Sequence, residues 1–390
     1  MSIFKKTLSC AVLAALSTCA LAGCGKQETV GETQTASSET PSAAITETDF
    51  QSTTAPEQTS VPEISEAPTT ETEAAASEAL SADASTPYGQ HGALHVENGK
   101  LTDEHGNAIQ LYGMSTHGIA WFPQYINYDS FRTLRDDWNT NCIRLAMYTA
   151  EYGGYCAGGD KEQLKQLVKD GVSYATELGM YVIVDWHILS DCDPNQNKDE
   201  AIAFFREMTE AFADNDNVLY EICNEPNGGT SWDSIKSYAE EVIPVIRAQK
   251  SDAVILVGTP TWSQEIDKAA AAPLDDSNVM YTLHFYAGTH KDDLRSRLET
   301  CAQNGLPVFV SEFGMCDASG NGANDFDSTT KWLDLLNKYQ ISFCCWNLAN
   351  KDESSSVFKA SSTALSGWTD NDFNESGRWI RDYFRGMPQK

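Results

Sequence analysis

Basic side chains are scarce in this chain. Lys and Arg number 27 against 56 Asp and Glu, a formal net charge of −29 over 390 residues. Phosphate backbones and anionic headgroups are held by clustered Lys and Arg, so this balance excludes nucleic acid and charged lipid surfaces as electrostatic partners. No Cys/His spacing fits a zinc site, and there is no Gly-x-Ser-x-Gly elbow. The stretch Gly113-Met114-Ser115-Thr116-His117-Gly118 is not the glycine-rich loop that cradles a nucleotide phosphate. Asp191-Cys192-Asp193-Pro194-Asn195-Gln196-Asn197 opens like a calcium loop. It carries Gln196 where that loop needs glycine and Ile202 where it needs glutamate, so it reads as a loop capping the helix from Lys198. No metal and no cofactor is expected. What remains suits an acidic, exported protein acting on a neutral substrate.

The charge is unevenly spread. Residues 1–26 hold three lysines and no acid, whereas residues 27–87 hold twelve acids and neither Lys nor Arg. Met1–Gly23 has a basic start at Lys5 and Lys6 and an apolar stretch, Leu8–Leu21, too short to span a bilayer as a stable helix. It ends in Leu21-Ala22-Gly23-Cys24, which resembles a bacterial lipobox. Cleavage before Cys24 and lipidation of its thiol are expected, anchoring the chain to the outer face of the bacterial cell membrane; an ordinary signal peptide cut nearby, leaving the protein secreted, is the alternative. The rest of residues 24–87 is Ser, Thr, Glu, Ala and Pro, with Phe50 the one aromatic. Such a segment buries too little apolar surface to offset the entropy of ordering, so a disordered linker is expected.

Tyr88–Lys390 reads as one domain and, in solution, as a monomer. Around Asn98-Gly99 the sequence predicts a tight hairpin. Eight apolar runs follow, at Ile109–Met114, Cys142–Met147, Tyr181–Asp185, Val218–Cys223, Val254–Val257, Val279–His284, Pro307–Ser311 and Ile341–Trp346. Helical patterns separate them, at Tyr128–Trp138, Asp160–Leu178, Lys198–Phe212, Ser231–Gln249, Gln264–Ala271, Asp292–Asn304 and Ser328–Tyr339, and Asn374–Phe384 makes the eighth. This alternation predicts an α/β fold, a (β/α)8 TIM barrel with a short N-terminal hairpin, preceded by the disordered linker. A doubly wound open sheet is the alternative, and the missing phosphate loop argues against it.

Chemistry-bearing residues fall where the runs end: His117, Arg144 and Tyr148, His187, Asn224 and Glu225, His284 and Tyr286, Glu312, and Trp346. In a barrel these ends converge on one rim. A carboxylate at the end of a buried strand is costly to desolvate, and two of them, Glu225 and Glu312, suit glycoside hydrolysis. That reaction needs one acid to protonate the glycosidic oxygen and one carboxylate to stay ionised. Glu225, before Pro226, suits a partly desolvated acid. Arg144 and Tyr286 are candidates to favour the anion at Glu312. The residues alone leave these roles, and the choice between retention and inversion, open.

Taken together, Arg144, Asp185-Trp186-His187, Asn224-Glu225-Pro226, His284-Phe285-Tyr286, Ser311-Glu312-Phe313-Gly314 and Trp346 resemble glycoside hydrolase family 5, in its bacterial endoglucanase (cellulase) branch. The resemblance implies an endo-β-1,4-glucanase acting on cellulose and related β-glucans by a retaining double displacement. Glu225 would be the acid/base and Glu312 the nucleophile. Asn224 would bind the sugar 2-hydroxyl, His284 and Tyr286 would orient the two carboxylates, Arg144 would hold Glu312 ionised, and His187 would line the site. His117, Tyr148, Lys351 and Glu353 match residues that grip the glycone side.

A glucan also needs flat apolar platforms. Trp121, Trp262 and Trp346, with Phe122 beside the first, lie beyond strands and are expected to contact sugar. Trp138, Trp332 and Trp379 lie on helical patterns and are expected in the core. Cys142, Cys223, Cys344 and Cys345 read as buried strand thiols, the last two facing opposite ways. Cys156, Cys192 and Cys316 lie on rim-side loops and could pair. Two rival readings stay open: a β-mannanase or mixed-linkage β-glucanase of the same family, and a non-catalytic polysaccharide-binding lipoprotein.

Overall fold

The computed structural model describes residues 83–388. The lipobox, Cys24 and nearly all of the acidic segment lie outside the described residues. Thr86 caps a short helix, Pro87–His91, by accepting from the Gly89 N–H. In the hairpin that follows, Val96 lies opposite Leu101. Asn98 and Gly99 both take positive φ, 51° and 74°, the turn whose twist matches its strands. Leu94 and Leu101 pack with Leu111, Ile183, Leu219, Phe309 and Cys344, so the hairpin plugs the lower end of the barrel.

The barrel strands are β1 (Tyr112–Thr116), β2 (Cys142–Tyr148), β3 (Tyr181–His187), β4 (Val218–Glu221), β5 (Ile255–Val257), β6 (Val279–Thr282), β7 (Val308–Gly314) and β8 (Phe343–Leu348). Each pairs in parallel with the next, and β8 pairs with both β7 and β1, which closes the barrel. A two-residue strand, Phe285–Tyr286, adds to the top of β7. The helices are α1 (Tyr128–Asp136), α2 (Lys161–Glu177), α3 (Lys198–Ala211), α4 (Trp232–Arg247), α5 (Ile266–Ala271), α6 (Asp292–Gln303), α7 (Phe326–Tyr339) and α8 (Glu375–Arg385). Side-chain caps start several of them: Asn127 for α1, Asp160 for α2, Ser231 for α4 and Asp325 for α7. Each buries one stripe; on α4 it is Ile235, Tyr238, Val242 and Ile246.

Strand alternation explains where the chemistry can lie. On β2, Ile143, Leu145 and Met147 join the core under the helices, and Cys142, Arg144, Ala146 and Tyr148 take the other face. On β3, Val182, Val184 and Trp186 face the helices, leaving Tyr181, Ile183, Asp185 and His187 inside. The interior thus changes with height: apolar at the bottom (Cys142, Tyr181, Leu219), charged in the middle (Arg144, Asp185, Glu221), aromatic at the top (Tyr148, His187, Trp346).

Several expected boundaries shift. Strands β3, β7 and β8 run through His187, Glu312 and Trp346 rather than stopping short of or at them, so these residues are held by ladder geometry instead of by loops. The loop at Asp191 caps differently from the expectation. Asp193 caps a short 3-10 turn, Pro194–Asn197, and α3 begins after it with no side-chain cap from Asn197. All eight described cysteines are free thiols, so Cys156, Cys192 and Cys316 form no pair. Cys344 faces the barrel interior and Cys345 the helices. Trp138 and Trp332 are fully buried, and Trp379 stacks on Phe326 and Tyr383.

Candidate active site

Arg144 is the hub. From the middle of β2 its Nε–H donates to Glu221 Oε2 at 2.7 Å and Nη2–H to Glu221 Oε1 at 3.2 Å. Nη2 also donates to Asn224 Oδ1 at 2.6 Å and lies 3.0 Å from Asp185 Oδ2. Nη1 donates to Ser115 Oγ at 3.2 Å and to Glu312 Oε2 at 3.1 Å. Its charge is fully buried, and three carboxylates around it keep it protonated. Burial opposes ionisation of Glu221, but Arg144 and His284 overcome it and bring that carboxyl down to about 2. Burial wins at Asp185, with Glu221 and Glu312 adding to it, and raises that carboxyl well above its ordinary range.

Glu312 enters the cleft from β7. Besides Arg144 it accepts from Tyr286 Oη at 2.8 Å. Burial and the charges of Glu312 and Glu225 raise the Tyr286 phenol well above its usual range, so it keeps its proton and donates. Gly314 makes this possible. A Cβ there would lie 2.3 Å from the Tyr286 ring, so only glycine lets the ring lie against β7.

Glu225 stands across from it, beyond β4. Its Oε1 contacts His284 Nδ1 at 3.0 Å. Its loop is stapled from β5: Trp262 N–H donates to the Pro226 carbonyl at 3.0 Å, and Ser263 Oγ donates to the Asn224 carbonyl at 2.7 Å. Thr261, Trp262 and Ser263 all take left-handed backbone conformations, φ 59°, 53° and 54°, an unusual run held by those bonds. One carboxylate oxygen of Glu225, one of Glu312 and a ring nitrogen of His284 lie within 4.8 Å of one another. Three such atoms could in other surroundings bind a cation. Here Arg144 and His284 already supply positive charge, so the donor set is taken up.

His187 lies under Asn224. Its Nδ1 contacts Asp185 Oδ2 at 2.6 Å and its Nε2 contacts Asn224 Nδ2 at 3.2 Å. Burial and the charge on Arg144 lower it to about 3. It is therefore neutral, donating to Asp185 and accepting from Asn224, which fixes the Asn224 amide.

A ring cluster forms the adjoining wall. His117 lies 5.0 Å from Trp346 and 5.0 Å from Phe122, and Trp121 lies 4.7 Å from Tyr148. Trp121 and Trp262 present 36% and 46% of their surface to solvent. Trp346 is only 5% exposed and stacks on His187, so it forms part of the cleft wall rather than a free platform. Lys351 Nζ pairs with Glu353 Oε2 at 2.6 Å, and Glu353 Oε1 lies 3.7 Å from His117 Nε2.

Among the described residues, hydrogen bonds, ion pairs and ring contacts link Arg144, His187, Asn224, Glu225, His284, Tyr286, Glu312, His117, Trp121, Tyr148, Trp346, Lys351 and Glu353 into one group. Trp262 joins it only through its backbone bond to Pro226, and Cys24 lies outside the described residues. The sequence reading missed Glu221, the roles of Asp185 and Ser311, and Tyr152. Tyr152 is 92% exposed, and its carbonyl accepts the Trp121 indole N–H at 2.9 Å.

The model of the family described as Cellulase (glycosyl hydrolase family 5) matches residues 102–352. The chain belongs to glycosyl hydrolase family 5. Endoglucanase A of Butyrivibrio fibrisolvens is 49% identical over 295 residues, 75% of this chain and 68% of that protein. An endoglucanase of Clostridium saccharobutylicum is 47% identical over 306 residues, 78% of this chain and 67% of that protein. Among solved structures of the family, the catalytic domain of a Thermobifida fusca endoglucanase in complex with cellotetraose superposes with TM-score 0.74. It is 41% identical, over 77% of this chain and 100% of that one.

Proposed function

We infer that this barrel is an endo-β-1,4-glucanase that hydrolyses internal β-1,4-glucosidic bonds of cellulose and related β-glucans with retention. The observation that carries the stereochemistry is the approach of Glu225 and Glu312 oxygens to within 4.8 Å. An inverting enzyme sets its carboxyl groups about 6.5–9.5 Å apart to admit a water between them, whereas a retaining one needs about 5–5.5 Å. Endoglucanase relatives at 49% and 47% identity support the reaction and substrate class.

In this reading Glu312, held by Arg144 and Tyr286, attacks the anomeric carbon. Glu225 gives its proton to the leaving sugar oxygen and then takes one from the water that hydrolyses the glycosyl-enzyme. Asn224, fixed by Arg144 and His187, faces the sugar 2-hydroxyl. Trp121, Tyr148, His117, Lys351 and Glu353 receive the glycone, and Trp262 meets the chain beyond Glu225. The test is sugar release from carboxymethylcellulose, barley β-glucan and mannan by the purified chain and its E225Q and E312Q variants. Cleavage of the glucans, with losses of about 10²–10⁴-fold in both variants, is expected. Cleavage of mannan alone would move the substrate to mannans. Binding without cleavage would make the protein a polysaccharide binder.

The same proposal includes the anchor. Supported by Leu21-Ala22-Gly23-Cys24 alone, the chain is a lipoprotein held at the outer face of the cell membrane through Cys24, with the acidic segment as spacer. A C24A variant that still fractionates with membranes would refute it.

A further inference from the structure

Ser311 stands between two charged groups. Its hydroxyl donates to Glu221 Oε1 at 2.7 Å, and it contacts His284 Nε2 at 2.8 Å. The other ring nitrogen of His284 faces Glu225 Oε1 at 3.0 Å. Glu221, Ser311 and His284 are all buried. A chain of hydrogen bonds therefore leads from the barrel interior to the carboxyl group that borders the cleft.

The direction of each bond is constrained. An ionised Glu221 only accepts, so the single proton of Ser311 goes to it. Ser311 must then accept from His284 Nε2, which therefore carries a proton. Nδ1 faces Glu225 Oε1 at 3.0 Å, and once Glu225 has given up its proton that oxygen only accepts, so Nδ1 carries a proton at that point too. An imidazole protonated at both nitrogens is a cation. Around it stand Glu221 and Glu225 from the β4 side and Glu312 from β7, while Asp185 of β3 also feels its charge and Arg144 of β2 holds the far side of Glu221. Burial opposes the positive charge, but Glu221, 3.7 Å from Nε2, Glu225 at 3.0 Å from Nδ1 and the field of Glu312 bring His284 up to about 9.

We propose that Ser311 and Glu221 are positioning residues that hold His284 as an imidazolium, whose Nδ1–H stabilises the negative charge appearing on Glu225 as it protonates the leaving sugar. This rests on the glycosidase reading above. In that step the proton passes from Glu225 to the glycosidic oxygen. The C1–O bond breaks with its electron pair going to that oxygen, a Glu312 oxygen bonds to C1, and His284 keeps both its protons. A neutral imidazole would offer the new charge on Glu225 at most an uncharged N–H, which is a weaker donor. The loss is felt where the leaving group needs a proton and vanishes where it does not.

The test compares kcat/KM, which reports the first step, on cellotetraose and on 2,4-dinitrophenyl β-cellobioside, whose phenolate leaves without protonation. S311A is expected to lower kcat/KM about tenfold on cellotetraose and less than about twofold on the aryl substrate. The alkaline limb of its cellotetraose profile should move to lower pH. S311T should recover the wild-type pattern and the near-isosteric S311V should not, a contrast that holds even if S311A folds poorly. Equal losses on both substrates, or none on either, would overturn the proposal while leaving the endoglucanase reading intact. Wild-type protein that cleaves neither substrate would overturn both.

Discussion

Glu221 receives two N–H groups of Arg144, at 2.7 and 3.2 Å, and neither side chain touches solvent. The pair sits one layer below the reacting carboxylates and orients the guanidinium so that its remaining N–H groups reach Asn224 and Glu312. A buried ion pair is weak evidence of net stability, since desolvation consumes most of the attraction. Breaking one side is another matter. In R144K a single ammonium replaces a planar fork, leaving acceptors on Glu221, Asp185, Asn224 and Glu312 that three donors on one atom cannot all reach. We expect R144K to lose about 3–5 kcal/mol of stability and at least about 100-fold in kcat. Denaturant unfolding followed by circular dichroism, with kcat on barley β-glucan, measures both. Activity within tenfold of wild type would show that charge alone suffices.

The buried histidines make stability depend on pH in opposite senses on either side of neutrality. His117 and His187 are both lowered to about 3, first by burial and then by Lys351 and Arg144 respectively. The unfolded chain protonates these rings near 6.5 and the folded one does not, so stability falls as pH drops from about 6.5 towards 3. His284 is raised to about 9, so its contribution is fully present below about 6.5 and is lost as pH rises to about 9. Glu221, lowered to about 2, adds to the acid side below about 4.5. Asp185, raised well above its ordinary range, runs the other way: it keeps a proton that the unfolded chain loses above about 4, and so offsets part of the histidine contribution. Each proton contributes a slope of about 1.4 kcal/mol per pH unit, so in melting temperature against pH, H117N should flatten the acid limb by about one proton. An unchanged slope in H117N would mean that its ring is already charged in the folded state.

Gly314 sets the position of the phenol that holds Glu312. In G314A the new methyl group would meet the Tyr286 ring at 2.3 Å, and the ring must move. The hydrogen bond at 2.8 Å to Glu312 should then be lost without any change to the carboxylates themselves. We expect G314A and Y286F to lower kcat similarly, by about tenfold to a hundredfold, and the double variant to be no worse than either. Additive losses in the double variant would show that the glycine acts through something other than Tyr286.

The barrel was legible because eight apolar runs alternate with helical patterns, and every run but Val254–Val257 carries its own polar or aromatic end. Glu225 and Glu312 were legible for the same reason, as carboxylates breaking apolar stretches. Glu221 breaks one too, within Val218–Cys223, yet it was read only as part of a strand. Its partners lie on β2 and β7, and which residues meet inside a barrel depends on strand register, which no local pattern carries. The same limit hid the link of Gly314 to Tyr286, which are far apart in sequence but neighbours across a parallel pair. Trp346 was placed on the right rim, but its burial depends on His187 stacking over it from another strand.

Trp262 offers the clearest separation of binding from folding. It is 46% exposed, while its backbone is held to the Glu225 loop through Pro226. The indole is exposed on a backbone already held in place, so on the glucanase reading a pyranose ring stacking on it leaves little to order, and its removal should weaken binding rather than chemistry. W262A is expected to raise KM for cello-oligosaccharides roughly tenfold, equal to about 1.4 kcal/mol, with kcat within about threefold and an unchanged melting temperature. Trp138 gives the contrast. It is fully buried between Trp368 and Phe373, so W138A should cost about 3–5 kcal/mol of stability and leave KM alone. Michaelis kinetics and thermal melts on the two variants distinguish these outcomes. If W262A destabilises the fold and keeps KM, its left-handed turn is a structural clamp and the sugar lies elsewhere.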